Sequence, residues 1–150
     1  MPDTIGHPVS FLDSRFRGND RLIMKLSNPI AILGEDYACE YLRKNGYKII
    51  ERNFRKGYGE IDIIAIDKPS GSGEKILVFV EVKTRTSGSF GSPLEAITYW
   101  KLKSLIKTAQ YYKMIHPKLP DSLRIDAVSV VLSGENKIKN MEHIKNFSGF

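Results

Sequence analysis

The stretch from Gly59 to Arg85 most constrains what this chain can fold into. It reads Gly-Glu-Ile-Asp-Ile-Ile, then a Gly/Ser-rich turn from Ser70 to Gly73, then Leu-Val-Phe-Val-Glu-Val-Lys-Thr-Arg. Two apolar runs of strand length around such a turn predict neighbouring β-strands joined by a loop. In the second strand Ile76, Val78, Val80 and Val82 point one way and Leu77, Phe79, Glu81 and Lys83 the other, because side chains alternate along a strand. Both faces stay apolar until the strand end, the pattern of a central strand covered on both sides. Asp62 lies inside the first apolar run, while Glu81 and Lys83 emerge together where the second leaves the core.

The remaining chain is read around these strands. Residues 1–23 show no sustained periodicity, and their three arginines balance their three aspartates. The formal charge of +6 therefore resides in residues 24–150. The stretch FLDSRFRGND resembles translated copies of a repetitive element common in some bacterial genomes, so we expect 1–23 to be a mis-called or disordered leader, translation to start at Met24, and 24–150 to form one domain. Asn28-Pro29 supplies an N-cap and a proline at the first helical position. Leu33, Tyr37, Ala38, Tyr41 and Leu42 recur at helical spacing up to a stop at Gly46. Early acids Glu35 and Asp36 suit the positive end of this helix dipole.

A first strand is expected over 47–54, a second over 58–67 and a third over 75–83, followed by a glycine-rich loop from Thr84 to Pro93. A second helix is expected from Ser92-Pro93 to about Ile115, with Leu94, Ile97, Leu102, Leu105, Ile106, Ala109 and Tyr112 towards the core and Lys101, Lys103 and Lys107 on other faces. A fourth strand over 123–132, a turn over 133–136 and a fifth, edge strand over 137–144 complete the order α-β-β-β-α-β-β. The fold class is α/β, a mixed β-sheet flanked by helices.

Apolar residues make up 41% and charged residues 27%, proportions of a soluble globular chain. No apolar run approaches the ~18–20 residues of a membrane span, so no membrane partner is expected. The single cysteine, Cys39, cannot form an internal disulfide and fits a small half-buried residue in a reducing cytoplasm. His7, His116 and His143 are scattered and lack cysteine partners at zinc spacing. Gly57-Tyr58-Gly59 lacks the third glycine of a dinucleotide fingerprint and leads into a strand, and no P-loop is present. The positive charge fits a polyanionic partner.

Strands lie about 4.8 Å apart, so Asp62 and Glu81 can reach one ion if the register sets them side by side. Hard oxygens at a strand end suit Mg²⁺ or Mn²⁺, and a divalent cation relieves the repulsion between paired carboxylates. Lys83 adds a cation that can hold a phosphate or lower the pKa of an attacking water. These are the parts of metal-assisted phosphodiester hydrolysis. The plainer alternative is an exposed Glu81–Lys83 pair with Asp62 bonded into a turn.

The ordered series GEDYACEYLRKNGYKIIERNFR, GEIDIIA, VFVEVKTR, FGSPLEAI…K and RIDAVSVV resembles the YraN-like family of uncharacterised bacterial proteins over residues 28–147. That resemblance implies a restriction-endonuclease-like fold, similar to archaeal Holliday-junction resolvases and other PD-(D/E)xK nucleases. It implies Asp62 as the first metal-binding acid and Glu81 as the second, in the form D-x₁₈-E-x-K. The Val82 carbonyl would be a further ligand and Lys83 the catalytic lysine. Glu35 matches an acid that some members bring to the metal through water, and Gln110 matches loosely a glutamine that follows the core motif in related exonucleases. Glu60-Ile61 stands where the motif has proline. Arg85, Arg55 and Arg124 are phosphate-binding candidates, Arg85 first among them, with solvated surface charge the equal alternative for Arg55 and Arg124. Asp126, beside Arg124 in an apolar strand, reads as half of a structural ion pair.

The expected function is a Mg²⁺-dependent nuclease acting on DNA, including branched or repair intermediates. The alternatives are a non-catalytic nucleic-acid-binding module of the same fold and a scaffold whose basic surface docks an acidic partner. The outer edge of the last hairpin offers a place for a second copy to pair as a homodimer.

Overall fold

The computed structural model describes residues 28–57, 59–71, 73–88, 91 and 93–148. The expected leader at 1–23 lies outside them. The elements are α1 (Pro29–Lys44), β1 (Lys48–Lys56), β2 (Gly59–Asp67), β3 (Ile76–Thr86), one 3₁₀ turn (Pro93–Ala96), α2 (Tyr99–Ile115), β4 (Ser122–Leu132) and β5 (Ile138–Ile144). This is the α-β-β-β-α-β-β order with a 3₁₀ turn added. The five strands lie in one mixed sheet in chain order, antiparallel except for the parallel β3–β4 pair. A parallel pair needs a long crossover, and α2 supplies it.

Each helix covers one face. Ala38, Cys39 and Leu42 of α1 pack with Ile63, Ala65, Val78, Val80, Val82, Val128 and Val130. Leu105, Ala109 and Tyr112 of α2 pack with Ile61, Ile64, Leu77, Phe79 and Ile125. The expected division of the β3 side chains between two faces therefore holds. Burying a Leu, Ile or Phe side chain stabilises by about 1.5–3 kcal/mol, and twelve of the largest fully buried side chains all belong to these two layers.

Local chemistry explains most boundaries. Asn28 Oδ1 accepts the Ile30 and Ala31 N–H groups at 3.2 and 3.3 Å, and Pro29 occupies the first helical position. Since α1 starts at Pro29, its first turn carries no acid. Glu35 and Asp36 sit beyond the reach of the dipole expected to explain them, which falls off within one turn. Three boundaries differ from the expected ones by two residues or more. β1 runs to Lys56 because Arg55 and Lys56 pair with Glu60 and Gly59. β3 continues to Thr86 because β4 runs beside it as far as Leu132, and pairing holds Thr84, Arg85 and Thr86 extended. α2 begins at Tyr99 because Thr98 Oγ1 accepts the Lys101 N–H at 3.1 Å and acts as N-cap, while Pro93–Ala96 forms a separate turn. Ser92, expected as the cap, lies outside the described residues.

Candidate metal and phosphate site

The two motif strands part company at the candidate site. The β2–β3 ladder runs from Asp67 opposite Ile76 to Ile63 opposite Val80 and ends there. β3 meanwhile stays paired with β4 through Thr86. At the end of the ladder the Asp62 carboxylate takes over, its Oδ2 accepting the Val82 N–H at 2.8 Å. β2 also breaks step here. Ile61 packs against α2 and Ile63 against α1, although residues two apart on a regular strand share a face. Opposite this step, Asn53 of β1 takes a left-handed conformation with φ of 54°. Asparagine tolerates that region better than most residues.

Glycines let both helices close on this end of the sheet. A Cβ at Gly34 of α1 would collide with the Thr84 side chain of β3, and one at Gly59 of β2 with Ser104 of α2. Each precedes an acid of the site, Glu35 and Glu60.

The result is a cleft of about 340 Å³, whose lining includes Glu35, Glu60, Asp62, Glu81, Lys83 and Lys101. Glu35, Asp62 and Glu81 are only 4%, 4% and 3% exposed. Lys83 Nζ lies 3.4 Å and Lys101 Nζ 3.7 Å from the same Glu81 Oε2. Arg52 approaches Glu35 at 3.8 Å and binds Asp36 at 2.9 Å. The structure thus gathers Asp62, Glu81, Val82, Lys83 and Glu35 into one cleft lining. Lys101, placed by its sequence among the outward lysines, joins them. FGSPLEAI…K hinted at a lysine here without giving it a role.

The other candidates lie elsewhere. Arg55 binds Glu60 at 3.1 Å and so stands behind the cleft wall. Arg85 lines a separate groove of about 390 Å³ with Thr86, Ser87 and Lys139. Gln110 is exposed on α2, nine residues beyond Lys101, and outside the cleft lining; at 1.5 Å per residue that is about 13 Å along the helix. Arg124 is not a phosphate ligand in waiting. Its guanidinium donates to Asp126 at 2.8 and 2.9 Å and to the Tyr47 hydroxyl at 2.8 Å, and it pairs with Asp67 at 3.0 Å.

Asp126 is fully buried and also meets His143 Nε2 at 2.8 Å and the Asn146 N–H at 2.9 Å. Burial pushes its pKa up, but the bonds from His143, Arg124 and Asn146 outweigh burial and hold it below the ordinary carboxylate value. This is the expected structural pair, enlarged to a network. Cys39 is buried, and desolvation raises its thiol pKa, the character of a packed residue rather than a nucleophile.

Among the described residues, no three His, Cys, Asp or Glu side chains come together closely enough to cage an ion. Mg²⁺ does not need a cage: it commonly keeps several waters and takes one or two carboxylates. The cleft lining includes the carboxylates of Glu35, Glu60, Asp62 and Glu81 and, among the described residues, no Cys, Met or His, a hard donor set that fits Mg²⁺ or Mn²⁺.

Comparison with known proteins gives the family. Residues 34–130 match the model of "Uncharacterised protein family UPF0102". A UPF0102 protein of Persephonella marina is 43% identical over 113 residues, covering 75% of this chain and 87% of its own length. One from Clostridium botulinum strain Loch Maree is 45% identical over 120 residues, covering 78% and 91%. One from Syntrophomonas wolfei is 40% identical over 117 residues, covering 77% and 96%. Among the described residues no helix is long and apolar enough to cross a membrane. The chain belongs to the UPF0102, or YraN-like, family.

Proposed function

We propose that this protein is a Mg²⁺- or Mn²⁺-dependent nuclease of the restriction-endonuclease-like class, hydrolysing phosphodiester bonds in DNA. One observation carries the reading: three nearly fully buried carboxylates and two lysines line one open cleft where two strands diverge. Buried carboxylates are costly unless cations meet them; Lys83 and Lys101 meet Glu81 and Arg52 meets Glu35, and a divalent ion beside Asp62 and Glu81 would offset the repulsion between their carboxylates. Asp62, Glu81 and the Val82 carbonyl would hold the ion, which when bound supplies a Lewis acid for the phosphoryl oxygens.

The chain's own groups do the remaining work. Lys83 Nζ donates to the attacking water and balances the negative charge that grows on the phosphoryl group. Lys101 approaches from the helix side and holds the phosphate against the strand end. Glu35, beside Arg52, accepts a hydrogen bond from water in the cleft and helps orient it. Hydrolysis forms a P–O bond to the water oxygen, which gives up a proton to solvent, and breaks the bond to the leaving sugar oxygen, which takes a proton from solvent.

The pairing of both lysines with Glu81 favours a second reading, a cleft balanced by its own charges in a module that binds nucleic acid without cutting it. Cleavage of a labelled panel of single strand, duplex, flap and four-way junction, in Mg²⁺, Mn²⁺ or EDTA, separates the two. Metal-dependent cutting lost in Asp62→Ala and Lys83→Ala is the expected result. Binding without cutting, equal in wild type and both variants, overturns it in favour of the module.

A further inference from the structure

The first turn of α2 has two sides. Lys101 faces inward to Glu81, while its neighbours Tyr99 and Trp100 face out, 65% and 73% exposed. Their rings pack edge to face at 5.3 Å, and the Lys103 ammonium lies 5.6 and 5.7 Å from the two ring centroids. Neither ring serves the two core layers. A large apolar side chain left in water next to a functional cleft marks a binding surface. α2 carries four lysines and no acid, so its partner is anionic. A second copy of the same helix would set lysine against lysine.

We propose that Tyr99 and Trp100, with Lys103, form a stacking platform for unpaired bases of the nucleic acid whose phosphate enters the cleft. The inference rests on the nuclease reading and narrows its substrate to strands with exposed base faces: single strands, flaps and opened junctions. Aromatic faces stack on any base whose own face is free, and a neighbouring cation adds to the binding of the backbone. Inside a blunt duplex those faces are occupied by adjacent pairs, so the platform gains nothing there. One helical turn then ties the two functions together, aromatic rings outside and a phosphate-directed lysine inside.

Trp100 is the sole tryptophan of the chain, so its fluorescence reports this surface directly. The full chain is titrated in EDTA with a single-stranded oligonucleotide, the matching blunt duplex and the same duplex carrying a single-stranded flap, following fluorescence and anisotropy. Single strand and flap are expected to quench Trp100. Trp100→Ala and Tyr99→Ala are each expected to weaken their binding by about 5- to 150-fold, the range for loss of one stacked base. Trp100→Phe retains most of it, and blunt-duplex affinity is unchanged in all variants. Equal losses on blunt duplex, or no loss on single strand, overturn the platform. So does a wild-type dimer in sedimentation that Trp100→Ala abolishes, which makes the patch a self-interface. Because binding is read without metal, a protein that never cuts can still pass this test, and one that cuts can still fail it.

Discussion

The Asp62 carboxylate accepts the Val82 N–H at 2.8 Å where the β2–β3 ladder ends. The first acid of the site is therefore also the last rung between its two strands. An amide oxygen can keep this bond without the charge. Asp62→Asn and Asp62→Ala are both expected to abolish metal-dependent cleavage. Only Asp62→Ala leaves the buried Val82 N–H without its acceptor, costing about 1–3 kcal/mol in urea unfolding. An Asn variant as unstable as the Ala variant refutes the rung.

Glu81 shares one carboxylate oxygen between Lys83 and Lys101. Either lysine alone still compensates it, so Lys83→Ala and Lys101→Ala should each cost about 1 kcal/mol or less of stability. The double variant removes both lysines from a buried acid and should lose more than the sum of the two single losses. A double-mutant cycle in denaturant checks this. In turnover, Lys83→Ala is expected to lower kcat by about 10²–10³-fold, as for loss of one group stabilising developing charge.

Asp126 holds its pKa below the ordinary value of 3.8 through His143, Arg124 and Asn146, against the upward push of burial. A depressed carboxylate contributes stability in full above its unfolded value. That contribution is lost as pH falls below 3.8 and through the lower folded value. Asp126→Asn should flatten this acid limb of stability against pH, and Asp126→Ala should cost about 1–3 kcal/mol at neutral pH by leaving the Asn146 N–H and Arg124 Nε–H without their acceptor, while Arg124 keeps its pairing with Asp67. An acid limb unchanged in Asp126→Asn would place the sensitivity elsewhere.

Gly34 lies so close to Thr84 that an added Cβ meets the Thr84 Cβ and Cγ2 at 2.8 Å. Thr84 is β-branched and held opposite Val130 in the β3–β4 ladder, so it cannot turn aside cheaply. Gly34→Ala should therefore destabilise by about 1–3 kcal/mol despite the better helix propensity of alanine. Combining it with Thr84→Ala, which removes the Oγ1 that the added Cβ meets most closely and the Cγ2 methyl, should recover part of the loss in thermal unfolding. No recovery would mean that the close approach is not what excludes a side chain.

Much of the fold is legible in local chemistry. The alternation in Ile76–Val82, the Asn28-Pro29 start and the turn at 133–136 each depend on residues within a few positions of one another. Burial of alternate side chains and satisfaction of free backbone groups act at that range. They also bring Glu81 and Lys83 to one face of β3. Asp62 could be singled out because an acid inside an apolar run is costly without a purpose.

The rest waited on tertiary structure, because it depends on which segments meet. Lys101 reaches Glu81 only because the parallel β3–β4 pairing sends α2 back across the sheet and Thr98 starts that helix beside the cleft. The Arg124–Asp126 pair is legible two residues apart in one strand, but Asp67 and Tyr47, which complete the enclosure of Arg124, come from segments far away in sequence. The irregular step at Asn53 and Asp62 has no signature in residue periodicity, since both flanking isoleucines are apolar whichever face they join. The chain by itself determined the order of its strands and helices and the alternating core face of β3, as those follow from neighbours in sequence. Only the assembled sheet decided which charges share a cleft, since ion pairing falls with distance in space and is indifferent to distance along the chain.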